Sequence, residues 1–117
     1  MGTWGTAIFD DDVAADVQGA WNELRDQGMS PEEASAVVLS EMASELGGDP
    51  DDGPVFWIAL AAVQVDAGAL QPNVAEQAMR AIPRNLARWR DEATPGDAAE
   101  RERVLTLLRR RLERRDI

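Results

Sequence analysis

The sequence predicts an all-α protein in which five or six helices form a single compact domain, residues 1–117, around one central apolar helix. Residues 54–68 read PVFWIALAAVQVDAG, an almost uninterrupted apolar run rich in Leu and Ala and without the alternation of a strand. A helix that is apolar on every side is buried on every side, so this segment is expected at the centre. The flanking segments carry apolar residues at helical spacing, and none has a strand pattern.

The N-terminal segment is expected to be irregular and to dock its large apolar side chains onto the core, since it has no helical period. These side chains are Trp4, Ile8 and Phe9. Asp11 or Asp12 is expected to cap the first helix, because a short carboxylate accepts hydrogen bonds from the free backbone N–H groups at a helix start. That helix is predicted over residues 13–27, with Gly28 as its C-terminal stop.

The second helix has a strong start signal, Ser30-Pro31-Glu32-Glu33. The serine suits the cap position, the proline suits the first helical position, and the second glutamate can complete a capping box. A pair of glycines is expected to end this helix. The acidic loop of residues 49–53 then separates it from the central helix, which Pro54 is expected to open.

The remaining helices are predicted from proline starts and apolar stripes. One helix opens at Pro72, but Pro83 lies within its apolar pattern. Because proline removes a hydrogen bond and clashes with the preceding turn, we expect a break or kink there, followed by a short helix over residues 84–92. The last helix is predicted over residues 95–114. Its inner face is expected to comprise Val104, Leu105, Leu107, Leu108 and Leu112. Its outer face is expected to comprise Arg101, Arg103, Arg109, Arg110, Arg111, Arg114 and Arg115.

The composition restricts the chemistry that the chain can perform. It has no Cys, His, Lys or Tyr, which excludes disulfides, thiolate metal sites and histidine-based catalysis. The formal net charge of −10 is unevenly distributed, because residues 1–53 hold 13 acidic groups and one arginine, whereas residues 54–117 hold 9 acidic groups and 11 arginines. An acidic half repels nucleic acid and attracts cationic proteins, so we expect a basic protein partner and no nucleic acid.

Two acidic clusters are the candidate functional residues. The first comprises Asp10, Asp11, Asp12 and Asp16, and the second comprises Asp49, Asp51 and Asp52. Asp12 and Asp16 lie one helical turn apart, and together with Asp10 they offer hard oxygen ligands of the kind that Mg²⁺ and Ca²⁺ prefer. The alternative is that these acids cap helices and compensate for helix dipoles. The sequence leaves open whether the two clusters meet in space.

Two further features are a lone amide in the central helix and a set of tryptophans. A buried amide needs hydrogen-bond partners, and we expect Gln64 to bond the N-terminal segment and fix its path. The tryptophans are expected to pack in the core rather than to form a ligand-binding shelf. They are Trp4, Trp21, Trp57 and Trp89.

The opening, Trp4-Gly5-xxx-Phe9-Asp10-x-Asp12, and the central block, residues 53–64, resemble an uncharacterised family of small bacterial proteins that begin with Trp-Gly and then Phe-Asp-x-Asp. The segment Leu86-xx-Trp89 is similar to a further block of that family. The resemblance implies a small bacterial domain of unknown function, and it brings no activity, cofactor or catalytic residue. The chain departs from the pattern at Val65, where an aromatic is usual, and at Trp21, where Tyr is usual.

These observations favour a small, soluble, non-enzymatic bacterial protein of the cytoplasm that acts through its acidic clusters and needs no cofactor. An immunity-like or regulatory binder of a basic partner is one concrete form. The alternative is a carboxylate-based, metal-dependent hydrolase that uses Asp10, Asp12 and Asp16, and a self-associating helical unit is a third class. No membrane segment is expected, because a spanning helix needs about 20 apolar residues, and no signal peptide is recognisable.

Overall fold

The computed structural model describes residues 6–46 and 48–114, and these residues form five helices and no strand. A 3₁₀ turn, Ile8–Asp10, precedes the first helix. The helices are α1 (Asp12–Asp26), α2 (residues 31–46), α3 (Asp52–Asp66), α4 (Pro72–Glu92) and α5 (Pro95–Glu113). The prediction of an all-α domain is therefore confirmed.

The central helix of the prediction is α3, and its neighbours enclose it. It packs most extensively against α4 and α1, with smaller contacts to α5, to α2 and to the 3₁₀ turn. Every residue from 53 to 64 is buried except Trp57, which is partly exposed and lies edge-on to Phe56 with the ring centroids 5.0 Å apart. Within the described residues, no helix combines the length and apolarity that crossing a membrane requires.

The starts of α1 and α2 follow the predicted capping. The side chain of Asp11, rather than Asp12, accepts hydrogen bonds from the backbone N–H groups of Val13 (2.8 Å) and Ala14 (3.4 Å). At α2, the Ser30 hydroxyl accepts from the Glu33 N–H, and the Glu33 carboxylate accepts from the Ser30 N–H, both at 3.1 Å. Beyond Pro31–Val38, α2 widens into a π-helical segment, Leu39–Ala43, before it ends.

The predicted break at Pro83 is wrong, because α4 runs without interruption from Pro72 to Glu92. Its buried stripe continues across the proline, with Ile82 on one side and Asn85 and Trp89 on the other. Pro83 itself faces solvent. Packing of this stripe against its neighbours outweighs the cost of about 3 kcal/mol that an internal proline imposes on a helix.

The predicted inner face of the last helix is wrong at two positions. The buried residues of α5 follow a regular spacing of three and four: Ala98, Arg101, Leu105, Leu108 and Leu112. Leu107 lies off this stripe and is 56% exposed, whereas Arg101 lies on it and is only 1% exposed. Helical geometry, not residue type, decides which side chains face the core here.

Truncation of the central helix is expected to cost much of the stability. Phe56 is fully buried, so Phe56→Ala leaves a cavity and should lower the free energy of unfolding by about 3–5 kcal/mol. Urea unfolding followed by circular dichroism measures this. Gln77→Ala, at an exposed position of α4, is the control and should change stability by less than about 0.5 kcal/mol. A loss at Phe56 no larger than the loss at Gln77 would contradict the buried position.

The capping box gives a second expected outcome. Ser30→Ala removes the side-chain acceptor at the start of α2 and should cost about 1 kcal/mol. The matched control is Ser40→Ala, the same change at an exposed position inside the π-helical segment, where no cap is lost. Thermal melts of both variants test the comparison, and equal midpoints would show that the box does not stabilise α2.

Candidate functional site

The two acidic clusters, which the sequence left unconnected, meet where α1 and α3 begin. The pKa of the Asp52 carboxyl is raised above its ordinary value of 3.8, first by partial burial and then by the negative charges of Asp49 and Asp11. Asp11 belongs to the first cluster, and the other two belong to the second. We call the seven aspartates together the acidic face: Asp10, Asp11, Asp12, Asp16, Asp49, Asp51 and Asp52.

Local hydrogen bonding fixes part of this face. The Asp49 carboxylate accepts from the backbone N–H groups of Asp51 (2.8 Å) and Asp52 (2.9 Å), and these bonds lower the pKa of Asp49. The Asp10 carboxylate accepts from the Ala7 N–H at 3.2 Å. Together with the Asp11 cap, these contacts match the predicted alternative of capping and dipole compensation at helix starts.

Other carboxylates of the face are open to solvent. Asp12, Asp16 and Asp51 are exposed, and the nearest cation to Asp51 is Arg88, whose Nε lies 4.0 Å away and only 2.9 Å from Glu92. Within the part of the chain that the structure describes, no three acidic side chains converge closely enough to hold a metal ion. The predicted metal ligands Asp10, Asp12 and Asp16 are therefore not brought together as a chelating group.

A buried cation lies beneath the acidic face, and the sequence analysis missed it. The Arg101 guanidinium donates from Nε to Asn85 Oδ1 (3.0 Å) and from Nη1 to the Thr6 carbonyl (3.1 Å). It also stacks over the Trp89 ring, 5.2 Å from the centroid. These contacts join α5, α4 and the N-terminal segment at one point. Arg101 lies at the regular spacing of the buried stripe of α5, and this spacing could have predicted its burial. The sequence analysis placed it on the outer face because arginine is charged.

Burial and the acidic face shift the pKa of the Arg101 guanidinium in opposite directions. Burial lowers the pKa of Arg101 to about 10, while the negative charges of Asp11 and Asp10 raise it. Even at a pKa of about 10 the guanidinium is protonated at neutral pH. Desolvation of a buried ion costs on the order of several kcal/mol, so a buried charge needs nearby opposite charges or hydrogen-bond partners. Asp10 and Asp11 therefore stabilise the charged form of Arg101.

Among the described residues, Gln64 bonds α2 and the start of α4 and not the N-terminal segment, so the expected contact is not found there. Its Nε2 donates to Ser35 Oγ (2.8 Å) and to Gln71 Oε1 (3.0 Å), and its Oε1 accepts from the Gln71 backbone N–H (3.0 Å). The amide thus joins α3 to α2 and to the start of α4. Arg101 holds the N-terminal segment instead, because its long side chain reaches the Thr6 carbonyl.

Two of the three tryptophans in the described residues are core residues. Trp21 and Trp89 are buried as predicted, whereas Trp4 lies outside the described residues. Trp57 is partly exposed in a cleft of about 330 Å³ between the acidic loop of residues 49–53 and α4. Its polar lining includes Asp49, Gln77, Arg80 and Arg84.

The arginines of α5 are partly neutralised by ion pairs. Arg103 pairs with Glu100 at 2.6 Å, and Arg109 pairs with Glu113 at 3.4 Å. Two pairs reach other helices: Arg111 bonds Asp66 of α3 at 2.8 Å, and Glu102 accepts from Arg90 of α4 at 2.9 Å. This surface is therefore a mixed rather than a purely cationic one.

The fold and the site define a small all-α protein whose helix starts carry a carboxylate face over a buried arginine. The chain belongs to the family described as a domain of unknown function (DUF4259), whose model matches residues 2–116. This confirms membership of a family of unknown function, and the family description assigns no activity to the acidic face. No curated protein and no solved structure matches the chain.

Two carboxylates of the face are expected to affect stability with opposite signs. Because the folded-state pKa of Asp52 is raised, its carboxylate destabilises the fold at neutral pH. Asp52→Asn should therefore raise the free energy of unfolding at pH 7, by less than about 1 kcal/mol for a solvent-screened group. The gain should shrink as the pH falls through the folded-state pKa of Asp52, which lies above the ordinary value of 3.8, because the wild-type carboxyl then becomes uncharged.

Asp49 provides the matched comparison. Its folded-state pKa is lowered, so its carboxylate stabilises the fold at neutral pH, and that stability is lost as the pH falls through the folded-state pKa. Asp49→Asn should lower stability at pH 7. Urea melts of both variants between pH 3 and pH 7 measure the two signs. Destabilisation by Asp52→Asn at pH 7 would mean that attraction to the start of α3 exceeds repulsion by its neighbours.

Proposed function

We propose that this protein is a non-catalytic binding module that recognises a basic segment of another protein through its acidic face. The observation that carries the proposal is the junction of the two clusters, where the negative charges of Asp49 and Asp11 add to the effect of partial burial and raise the pKa of Asp52. Like charges crowded at one place cost stability, and a bound cationic group relieves that cost. The gain in stability on binding is therefore largest for a partner that places positive charge at this junction.

Solvent access supports the same assignment. Asp12 and Asp16 are exposed and form no ion pair with the described residues, and exposed Asp51 has only the 4.0 Å contact with Arg88 Nε, so all three carboxylates are accessible to a ligand. Arginine is the favoured complement, since its planar guanidinium bonds a carboxylate with two parallel N–H groups. Long-range attraction to such a face also speeds the encounter with a basic protein, as for an immunity-like or regulatory binder.

Neither metal-dependent hydrolysis nor nucleic-acid binding has comparable support. A metal-dependent hydrolase needs converging carboxylate ligands, and the described residues hold no such group. Nucleic acid carries its negative charge at close intervals, so the acidic face repels it. Binding of a basic protein segment is the function that the charges of the face favour.

The expected outcome is specific loss of binding when the face is neutralised. The probe is a short, fluorescein-labelled oligoarginine peptide, and fluorescence anisotropy measures its affinity. The test variant combines Asp12→Asn, Asp51→Asn and Asp52→Asn. Loss of three exposed ion pairs of about 0.5 kcal/mol each amounts to about a tenfold weaker affinity. The affinity of the wild type should also fall as NaCl is added.

A matched variant distinguishes binding at the acidic face from general attraction to the net charge of the protein. It combines Glu23→Gln, Asp26→Asn and Glu32→Gln, which remove the same number of charges at exposed positions around the C-terminal end of α1 and the start of α2, whereas the face lies at the start of α1. This control should retain the wild-type affinity. Equal weakening of both variants would show that the peptide responds to the overall charge of the protein, and the acidic face would then be withdrawn as the binding site.

A further inference from the structure

The cleft that contains Trp57 is not used by the proposed function. Its volume of about 330 Å³ lies at the lower end of the range for small-molecule sites, roughly 300–1,000 Å³. Pro50, Pro54 and Ala81 line it together with the partly exposed indole of Trp57. An aromatic surface that is open to solvent inside a cleft can stack on a flat ring. The cleft therefore suits a small organic molecule with an aromatic ring.

The wall of the cleft that α4 contributes carries hydrogen-bond donors. Gln77, Arg80 and Arg84 follow one another at intervals of three and four residues, so they share one face of α4, and all three line the cleft. Arg80 pairs with Glu76 at 2.6 Å. Arg84 is exposed and forms no hydrogen bond or ion pair with any other residue that the structure describes. The Gln77 amide and the Trp57 indole N–H likewise form no hydrogen bond with the described residues.

The charge of Arg84 is not compensated along its own helix. The residues one turn away on either side are Arg80 and Arg88, so Arg84 has a cation at both the i−4 and the i+4 position. Like charges at this spacing are unfavourable. Both of these neighbours pair with a glutamate, Arg80 with Glu76 and Arg88 with Glu92. Of the three arginines, Arg84 is therefore the one that an anion from outside the chain would neutralise.

The acidic residue of the cleft leaves Arg84 accessible. Asp49 lines the same cleft, but its carboxylate accepts the backbone N–H groups of Asp51 and Asp52 and forms no ion pair with Arg84. An anionic ligand can thus bond Arg84 without displacing an internal ion pair. A cationic ligand would instead meet the unpaired charge of Arg84 with Arg80 beside it, so the cleft favours an anion.

We propose that this cleft binds a small aromatic carboxylate, with its ring on Trp57 and its carboxylate on Arg84. A planar guanidinium donates two parallel N–H groups to a carboxylate, and an indole stacks on a flat ring. Because Asp49 also lines the cleft and repels negative charge, the single charge of a carboxylate is favoured over the charge of about −1.5 to −2 on a phosphate monoester at pH 7. The proposal does not rest on the recognition of a basic segment, which is tested at other residues.

Titration of the isotopically labelled full chain with 2-naphthoate at pH 7, followed by two-dimensional NMR, tests the site. A ligand of this size with one ion pair and one stacked ring should bind with a dissociation constant of about 1 mM or tighter. The indole N–H signal of Trp57, identified by its loss in Trp57→Leu, should shift on binding. The signals of Trp21 and Trp89, which are buried and do not line the cleft, should not shift.

Matched variants test the two contacts. Arg84→Gln should weaken naphthoate binding about tenfold, because a hydrogen-bonded charge pair is lost. Arg110→Gln makes the same change at an exposed arginine of α5 outside the cleft and should leave the affinity unchanged. Trp57→Leu should weaken binding about fivefold through loss of the stacked ring. Circular dichroism melts check folding, and if Trp57→Leu does not fold, the comparison of the two exposed arginines still decides.

Two analogues of the ligand separate its charge from its ring. Cyclohexanecarboxylate keeps the charge without a flat ring, and naphthalenemethanol keeps the ring without the charge. Each should bind more weakly than naphthoate, because each forms only one of the two contacts. An analogue that binds as tightly as naphthoate would show that the contact it lacks does not contribute.

Three further results would overturn the proposal. Absence of any shift of the Trp57 signal up to about 10 mM naphthoate excludes the site. Equal weakening by Arg84→Gln and Arg110→Gln would show that naphthoate responds only to overall charge. Tighter binding of naphthyl phosphate than of naphthoate would show that the ligand class is wrong. None of these results depends on whether the oligoarginine peptide binds.

Discussion

A helix without a polar face has to be covered on every side, and this constraint organises the whole protein. Because α3 is buried all round, α1 and α4 pack along it while α2, α5 and the N-terminal turn close the remaining sides. Such an arrangement leaves the starts of α1 and α3 close together. The carboxylates that suit each helix start separately are thereby crowded into one face, which neither segment predicts alone.

The buried cation is the counterpart of that crowding. Arg101 joins two helices and the N-terminal segment through Asn85, Trp89 and the Thr6 carbonyl. The adjacent Asp10 and Asp11 stabilise its charge against desolvation. Arg101 therefore helps to position the acidic face. Its guanidinium bonds the N-terminal segment that carries Asp10, and Asp10 in turn stabilises the charge of the guanidinium.

Much of the fold could be predicted from the sequence, since apolar period, helix caps and proline starts are local signals. The start of α2 and the burial of α3 are examples. The errors arose where tertiary contacts decide: Pro83 is tolerated because packing continues across it, and Gln64 finds its partners in helices whose proximity no local pattern encodes. Arg101 and Leu107 were misplaced because residue type was given more weight than the stripe on which each lies. The aspartates of the proposed site can be named from the sequence, but the proximity of the two clusters cannot, because it depends on how α1 and α3 pack.

Two features that lower the stability of the fold, a buried arginine and crowded carboxylates, lie close together at the acidic face. A buried arginine is a costly way to join helices, because an apolar side chain of similar volume avoids its desolvation. A carboxylate such as Asp52, placed beside Asp49 and Asp11, adds repulsion that an amide would not. Elsewhere several charges are paired between helices, as in the ion pairs that Arg111 forms with Asp66 and Arg90 forms with Glu102. Sequences depart from local consistency mainly where function requires it, and these two departures are the physical reason to propose the acidic face as a binding surface.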